Sequence, residues 1–366
     1  LETFANKSSV HFIYYDNQIL IPILRILKSK FRYPYYYIWQ WFAYRTVKNH
    51  HEKIKFDYVH HITWVQVRMP SFMWKLNIPF IVGPVGGGEK TPWRLWPILG
   101  LRQWLADLAR DIWSVVSFID PFVRSTYKNA NKIFVTSTDS LKLVPKSERK
   151  RSRISLAIAL DNNYQNLEDL RSQDIAPQDD IINRINIIYV GRFLGWKGMG
   201  LGIYAFSLLL KTCPNAMLTM VGSGPEEKNW KSIAKKLGIE NNIIWISWID
   251  HKDVMKLYDQ SDLMLFPSMH DSGGFVVLEA LSRGVPVVCL DLGGPGTIID
   301  SSCGIKIDTR NASLSKVKYN LYLAMRELVL NREYRVKMSR GAIERVKKFN
   351  WDSLVESCYR DFKGNS

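Results

Sequence analysis

What the sequence lacks narrows it first. Its four cysteines, Cys213, Cys289, Cys303 and Cys358, are scattered and form no Cys-x2-Cys pair. That spacing offers no metal framework and fits a reducing compartment. No apolar run approaches the about 18 residues that a membrane-spanning helix needs. The opening Leu1-Glu2-Thr3-Phe4-Ala5-Asn6 lacks the pattern of a signal peptide. No strand ends in Gly-x-Gly-x-x-Gly, so a nicotinamide-binding fingerprint is absent. Acidic residues are scarce: 34 Asp and Glu stand against 50 Lys and Arg, a net charge of +16. This excess predicts an anionic partner (nucleic acid, anionic lipid or a phosphorylated substrate) without choosing among them.

What is present describes a folded protein. The 366 residues suffice for two domains of ordinary size. Hydrophobic content of 46% and charged content of 23% are those of a globular chain. Aromatics are abundant, with 13 Trp and 17 Tyr. Two stretches interleave them with basic residues, 31–48 and 93–104. Such stretches suit a membrane surface or a polyanion, or a packed helix whose Lys and Arg face water.

The first half reads unevenly. A strand is predicted over 10–15, a helix over 35–50 and a strand over 57–62 that carries His60 and His61. Adjacent residues of a strand point to opposite faces, so this is no natural metal pair. One of the two is free to reach a site. A helix is predicted over 66–76, then a buried strand over 78–82 that runs into Gly86-Gly87-Gly88-Glu89. Three successive glycines cost backbone entropy and need a reason, either close approach of a ligand or a hinge. Helices follow over 100–128, with strands over 132–136 and 154–160. The polar, Asp-rich segment 161–184 reads as a linker.

The second half alternates regularly. Strands are predicted over 185–190, 217–221, 243–247, 263–266, 287–290 and 304–307, with helices at 199–212, 226–237, 252–260 and 274–283 between them. Alternating βα units imply a parallel sheet with helices on both faces. Helices over 313–330 and 333–348, and one from Trp351 to about 362, close the chain.

The chemistry gathers at strand ends. Open α/β sheets bind ligands beyond the carboxyl ends of their strands. After the strand at 263–266, Asp271 and Glu279 bracket a turn containing Gly273 and Gly274. After the strand at 185–190 come Arg192 and Lys197. Arg offers a planar fork to phosphate oxygens and Lys a point charge, so the pair suits a diphosphate without a metal ion. After the strand at 217–221, Gly222-Ser223-Gly224-Pro225 forms a third turn. Taken singly, each is also explained as a tight βα turn or as surface charge.

Together these segments resemble the family 4 retaining glycosyltransferases (glycosyl transferases group 1). The resemblance rests on Gly191-Arg192-x4-Lys197-Gly198, Val221-Gly222-Ser223-Gly224-Pro225, Tyr258-x2-Ser261-Asp262, Phe266-Pro267-Ser268 and Gly274-Phe275-x3-Glu279-Ala280-x3-Gly284-x-Pro286-Val287. It covers about 190–290, and Phe349-Asn350-Trp351 is similar to the family's final helix. It implies an α/β fold of two facing Rossmann-like domains with a nucleotide-sugar cleft between them. The expected division is an acceptor-side domain over 1–180, a donor domain over 181–348 and a helix over 349–366 that crosses back.

The resemblance also implies roles. Arg192 and Lys197 would hold the donor diphosphate, and Glu279 the ribose hydroxyls. Asp271 stands where the family usually has a Glu that contacts the donor sugar. It is one methylene shorter, which puts the identity of the sugar in question. Gly273, Gly274, Phe275, Val276, Gly222 and Ser223 would border the donor, with backbone N–H groups near Gly274 and Phe275 facing sugar and phosphate. The acceptor side is weaker: His61, Gly86, Gly87, Gly88 and Glu89 are its candidates. The family's early glycine-rich loop is missing before residue 83. Either the first βαβ unit is absent from this chain or the loop at 86–89 takes its place.

The expected activity is metal-independent, retaining transfer from a nucleotide diphosphate sugar to a glycan or lipid-linked acceptor, with no separate cofactor. The expected location is the cytoplasm, peripheral on the inner membrane face, against anionic lipid. Alternatives are an inactive donor-binding relative, a nucleotide-sugar epimerase, and a nucleic-acid-binding α/β protein, for which no recognition motif is present.

Overall fold

A computed structural model describes residues 11–13, 32–62, 64, 66–161 and 184–360. Half of the strand expected at 10–15 and nearly all of the linker at 161–184 fall outside these. Residues 11–13 carry no regular structure.

Helix α1 (Arg32–Ile54) leads to strand β1 (Val59–His61), a short 3-10 turn at Met73–Leu76, and β2 (Phe80–Val85). A second 3-10 turn (Trp93–Ile98) precedes α2 (Leu101–Ile119) and α3 (Pro121–Asn129). Then come β3 (Lys132–Val135), α4 (Thr138–Leu143) and β4 (Ser152–Ile154). The four strands form a parallel sheet in the order β1-β2-β3-β4. The break between α2 and α3 is written locally. Asp120 accepts hydrogen bonds from the amides of Phe122 and Val123, and Pro121 occupies the first helical position.

The remaining elements are β5 (Asn186–Val190), α5 (Met199–Leu209), β6 (Met217–Val221), α6 (Glu227–Lys236), β7 (Ile243–Ile246), α7 (His251–Asp259), β8 (Leu263–Phe266), α8 (Phe275–Ser282), β9 (Val287–Leu290), α9 (Gly293–Ile298), β10 (Gly304–Ile307), α10 (Leu314–Leu330), α11 (Arg332–Val346) and α12 (Trp351–Tyr359). Their six strands form a second parallel sheet, ordered β10-β9-β8-β5-β6-β7. β8 and β9 are buried along their whole length, which is why they read as unbroken apolar runs.

Each sheet has its own core. The larger gathers around β5, β6, β8 and β9, and the smaller around Phe80, Val82, Val85, Ile133 and Val135. The last helix packs on the first sheet, where Cys358 joins Ile81 and Phe134. Lys132 Nζ donates to the Cys358 carbonyl at 3.2 Å. Beside it the chain runs alongside itself: Leu160 N donates to the Phe349 carbonyl at 2.9 Å and Trp351 N to the Leu160 carbonyl at 3.3 Å.

Two sequence expectations are corrected. The helix over 66–76 does not form. Gln66 bridges to Gly86, and only Met73–Leu76 turn helically. Pro70 lies in the middle of that window, and its ring removes an amide donor and obstructs the preceding turn. The strand over 154–160 is instead β4, which ends at Ile154. The apolar character of the following residues has another cause, because Leu156 and Leu160 pack into the core of the second sheet.

Gly198 and Gly238 give a matched test of steric constraint. Both have left-handed backbones, φ +71° and +66°. A Cβ at Gly198 would lie 2.1 Å from the Pro267 carbonyl oxygen, whereas one at Gly238 meets nothing within 4 Å. Gly238→Ala is expected to cost about 1 kcal/mol and Gly198→Ala about 3 kcal/mol or more, read by urea unfolding. Equal losses would show that backbone conformation alone sets the cost.

Candidate active site

The second sheet fixes where a ligand-binding crevice lies. From β5 the chain moves one way to β6 and β7, then returns to the other side of β5 for β8, β9 and β10. The strand order therefore reverses between β5 and β8, and the crevice opens beyond their carboxyl ends.

Two turns meet there. After β5, the residues Gly195–Lys197 form a 3-10 turn, and Lys197 Nζ reaches Asp271 Oδ2 at 2.5 Å. Lys197 also lies 4.9 Å from the centre of the Phe266 ring. Both charged side chains are mostly buried, so their attraction is only partly screened. Arg192 is exposed on the same turn. The other Asp271 oxygen accepts hydrogen bonds from the amides of Gly273, at 3.1 Å, and Gly274, at 2.7 Å. The Gly274 N–H, expected to face a ligand, is thus engaged by Asp271. Gly274 has φ +75°, the left-handed geometry that turns the chain into α8.

Glu279 is buried one helical stretch further on. His251 Nε2 lies 2.7 Å from one of its oxygens and Tyr258 OH 3.5 Å from the other. Burial raises its pKa, and His251 and Tyr258 oppose that shift. Gly222 and Ser223 form the neighbouring wall. The Ser223 carbonyl accepts from Phe193 N at 2.8 Å, and a Cβ on Gly222 would lie 2.0 Å from the Gly191 carbonyl oxygen. Phe275 is exposed and Val276 partly so, at the start of α8.

The first sheet faces this turn through its glycine loop. A Cβ on Gly86 would sit 2.9 Å from Ser272 Cβ, and one on Gly88 only 2.4 Å from Ser140 Cα. Close packing therefore accounts for these two glycines. Glu89 is buried and accepts hydrogen bonds from Ser137, at 2.7 Å, and Ser140, at 3.2 Å. Of the two histidines, His60 lies between Tyr359 OH, 2.6 Å away, and the Gly83 carbonyl, 2.5 Å away. His61 is buried with Nε2 at 3.3 Å from Tyr36 OH of α1.

Sequence reasoning missed the residues that join the two halves. His270 precedes Asp271 and inserts into a polar cluster on the first half. Arg110 Nη1 donates to His270 Nδ1 at 2.6 Å, and Asp107 Oδ2 lies 3.3 Å from His270 Nε2. Thr91 OH donates to Asp107 at 2.9 Å and also contacts His270. Burial and the neighbouring Arg110 keep His270 neutral, so Nε2 carries the proton toward Asp107 and Thr91. Burial pushes the Asp107 carboxyl up, but His270, Arg110 and Thr91 outweigh it and hold its pKa below the usual value. A signal existed: Asp107, Arg110, Ser114 and Ser117 recur at helical spacing along one side of the helix.

Two outcomes test this geometry. Lys197→Met leaves the Asp271 charge largely buried and unpaired, and is expected to cost about 2 kcal/mol. Adding Asp271→Asn should recover part of that loss, as urea unfolding of the single and double variants would show. Strict additivity would mean that the pair contributes no coupling. Glu279 has a folded pKa above its unfolded one, so the stability it contributes is full at low pH and is lost as pH rises through the folded value. Glu279→Gln should therefore gain relative to the unaltered protein as pH rises above the ordinary carboxylate range. A pH-independent difference would contradict the shift.

Comparison with known proteins agrees with this layout. Residues 172–345 match the family described as Glycosyl transferases group 1. The D-inositol 3-phosphate glycosyltransferase of Corynebacterium aurimucosum is 25% identical over 185 residues, 48% of this chain and 42% of its own length. The chain thus spans under half the length of that curated relative. Among solved structures, WaaG, a glycosyltransferase involved in lipopolysaccharide biosynthesis, superposes with a TM-score of 0.57 at 19% identity, covering 88% of this chain and 82% of its own. Anabaena Alr3699/HepE in complex with UDP gives 0.57 at 14% identity, covering 87% and 81%. These likenesses show the fold, an α/β architecture of two parallel-sheet units as in two-domain glycosyltransferases. Residues 172–345, just under half of the chain, are thus similar to the group 1 glycosyltransferases.

Proposed function

We propose that the chain is a retaining, metal-independent hexosyltransferase that takes a nucleotide diphosphate sugar and glycosylates a hydroxyl of a glycan or lipid-linked acceptor in cell-surface polysaccharide or glycolipid assembly. The observation that carries this reading is the meeting of Lys197 and Asp271 where the strand order reverses, with Glu279 behind them and Arg192 exposed beside them. UDP in a structural neighbour of the same fold supports a nucleotide donor. Residues 181–348 would be the donor half, 1–180 the acceptor half, and 349–366 the segment that returns to it.

In this reading Arg192 and Lys197 neutralise the departing diphosphate as the bond from the anomeric carbon to the phosphate oxygen breaks. Asp271 hydrogen-bonds the sugar hydroxyls, and Glu279 accepts from the ribose diol. The acceptor hydroxyl attacks on the face the diphosphate leaves, and a phosphate oxygen takes its proton. Two fixed cations supply charge stabilisation at the place where a metal ion would otherwise act.

The acceptor half carries an exposed apolar surface suited to lipid. Helix α2 is reversed in polarity: Asp107, Ser114 and Ser117 are buried, while Leu105, Ile112, Val115 and Ile119 face solvent. Phe122 extends the surface, and exposed Arg124 and Lys128 flank it. Among the described residues no helix is long and apolar enough to cross a membrane. Such a face would lie in the interface of an anionic bilayer.

Thermal unfolding with UDP, GDP and ADP in excess chelator tests the donor site. One nucleotide should raise the midpoint, and Arg192→Ala with Lys197→Ala should abolish the rise. No rise with any of them would defeat the site assignment. Ile112→Asp with Val115→Asp should remove binding to phosphatidylglycerol vesicles at low salt and leave the nucleotide response intact. Undiminished vesicle binding would remove α2 from the membrane reading.

A further inference from the structure

Arg68 is a buried cation that makes no direct ion pair among the described residues. The residue is only 2% exposed. Its Nε donates to Ser114 Oγ at 2.6 Å, but Nη2 has no partner, and among the described residues it forms no ion pair. The nearby carboxylates, Glu89 and Asp111, act on it through space without hydrogen-bonding it. Glu89 accepts from Ser137 and Ser140, and Asp111 sits 3.9 Å from Lys90. Arg110, which pairs with Asp107 at 3.5 Å, is a second cation close to it. Its Nε is also buried and unpartnered, and its carbonyl accepts from Ser114 Oγ at 2.8 Å. Burial of an unpaired guanidinium is strongly unfavourable. Structural reasons for keeping one are weak here, because a single hydrogen bond to Ser114 does not require a charge.

The glycine loop leads to this group. Gly87 has φ +84° and is partly exposed. A Cβ there would lie 2.7 Å from Gln66 Oε1 and 3.3 Å from Arg68 Nη1. A glycine there lets the loop backbone lie directly against Gln66 and the guanidinium. Gly86, its neighbour, packs against Ser272 of the turn that holds Asp271. The loop over Arg68 thus borders the place assigned above to the donor sugar, on the side of the first sheet.

We propose that Arg68, supported by Arg110 and reached past Gly87, is an anion subsite that holds a phosphate group of the acceptor beside the transferred sugar. The inference rests on the glycosyltransferase reading given above. A guanidinium fork matches a phosphate in geometry and charge, and binding supplies the missing counter-ion. The phosphate belongs either to a soluble sugar phosphate or to a lipid headgroup.

Inorganic phosphate is the first probe, followed by thermal unfolding of the full chain. The phosphate-dependent rise should persist in Arg192→Ala with Lys197→Ala, which lacks the donor cations. In Arg68→Met, about ten- to a hundredfold more phosphate should be needed, while the response to the donor nucleotide stays unchanged. Arg68→Lys, which keeps the charge without the fork, should fall between. A rise that is lost with the donor cations, or unchanged in Arg68→Met, overturns the subsite. A missing nucleotide response in the unaltered protein would instead strike the donor reading. Should neither Arg68 variant fold, phosphate must shift the Gly87 amide resonance of the unaltered protein, and a static resonance refutes the proposal. Glucose 6-phosphate and vesicles containing phosphatidic acid separate the sources. Arg68-dependent binding of one assigns the ligand to it, and Arg68-dependent binding of neither counts against an acceptor phosphate.

Discussion

The ion pair between Lys197 and Asp271 joins the two turns that the reversal of strand order brings together. Neither side chain reaches the other along the sequence; they are 74 residues apart. Their meeting depends on β5 and β8 being hydrogen-bonded neighbours in the sheet. It depends equally on Gly198, whose left-handed backbone lets the first turn lie against the Pro267 carbonyl. Asp271 then does two things at once, binding the cation with one oxygen and the amides of Gly273 and Gly274 with the other. A longer Glu at this position would not satisfy the same pair of amides from the same backbone.

That double use ties the crevice to the first half of the chain. Asp271 follows His270, which is locked between Asp107 and Arg110 of α2. The Asp271 carbonyl accepts from Gly294 N at 2.6 Å, so the first turn of α9 is pinned to the same turn. A turn held from three sides is pre-organised, and pre-organised polar groups stabilise charge without reorienting as it develops. Helix α2 also accounts for its own reversed polarity, because its polar side is occupied by His270 and Arg68 rather than by water.

Much of the second half was legible. The strands at 263–266 and 287–290 lie where the apolar runs put them. The reason is physical: parallel strands with helices on both faces have no wet side, so the run itself marks the strand. The first half was harder for the same reason inverted. Leu156 and Leu160 form an apolar run that serves the other core, and no local pattern reveals which core a residue joins. At the site, residue types and their strand-end positions were readable, but pairing was not. Lys197 was assigned to phosphate and Asp271 to sugar, and only the fold shows them bonded to each other. His270 looked like an ordinary neighbour of Asp271, since its partners lie about 160 residues away.

The chain leaves the first sheet after Ile154 and comes back to it through α12. On the way the outgoing and returning segments are bonded side by side, through Leu160, Phe349 and Trp351. Two covalent crossings laced into one narrow ribbon behave as a hinge pin. They allow the two sheets to swing about the ribbon but resist any sliding of one past the other. Swinging moves points in proportion to their distance from the pin. The fastenings between the Gly86 loop and Ser272, and between His270 and α2, therefore act as the clasp of a book whose spine is the Leu160–Asn350 bridge.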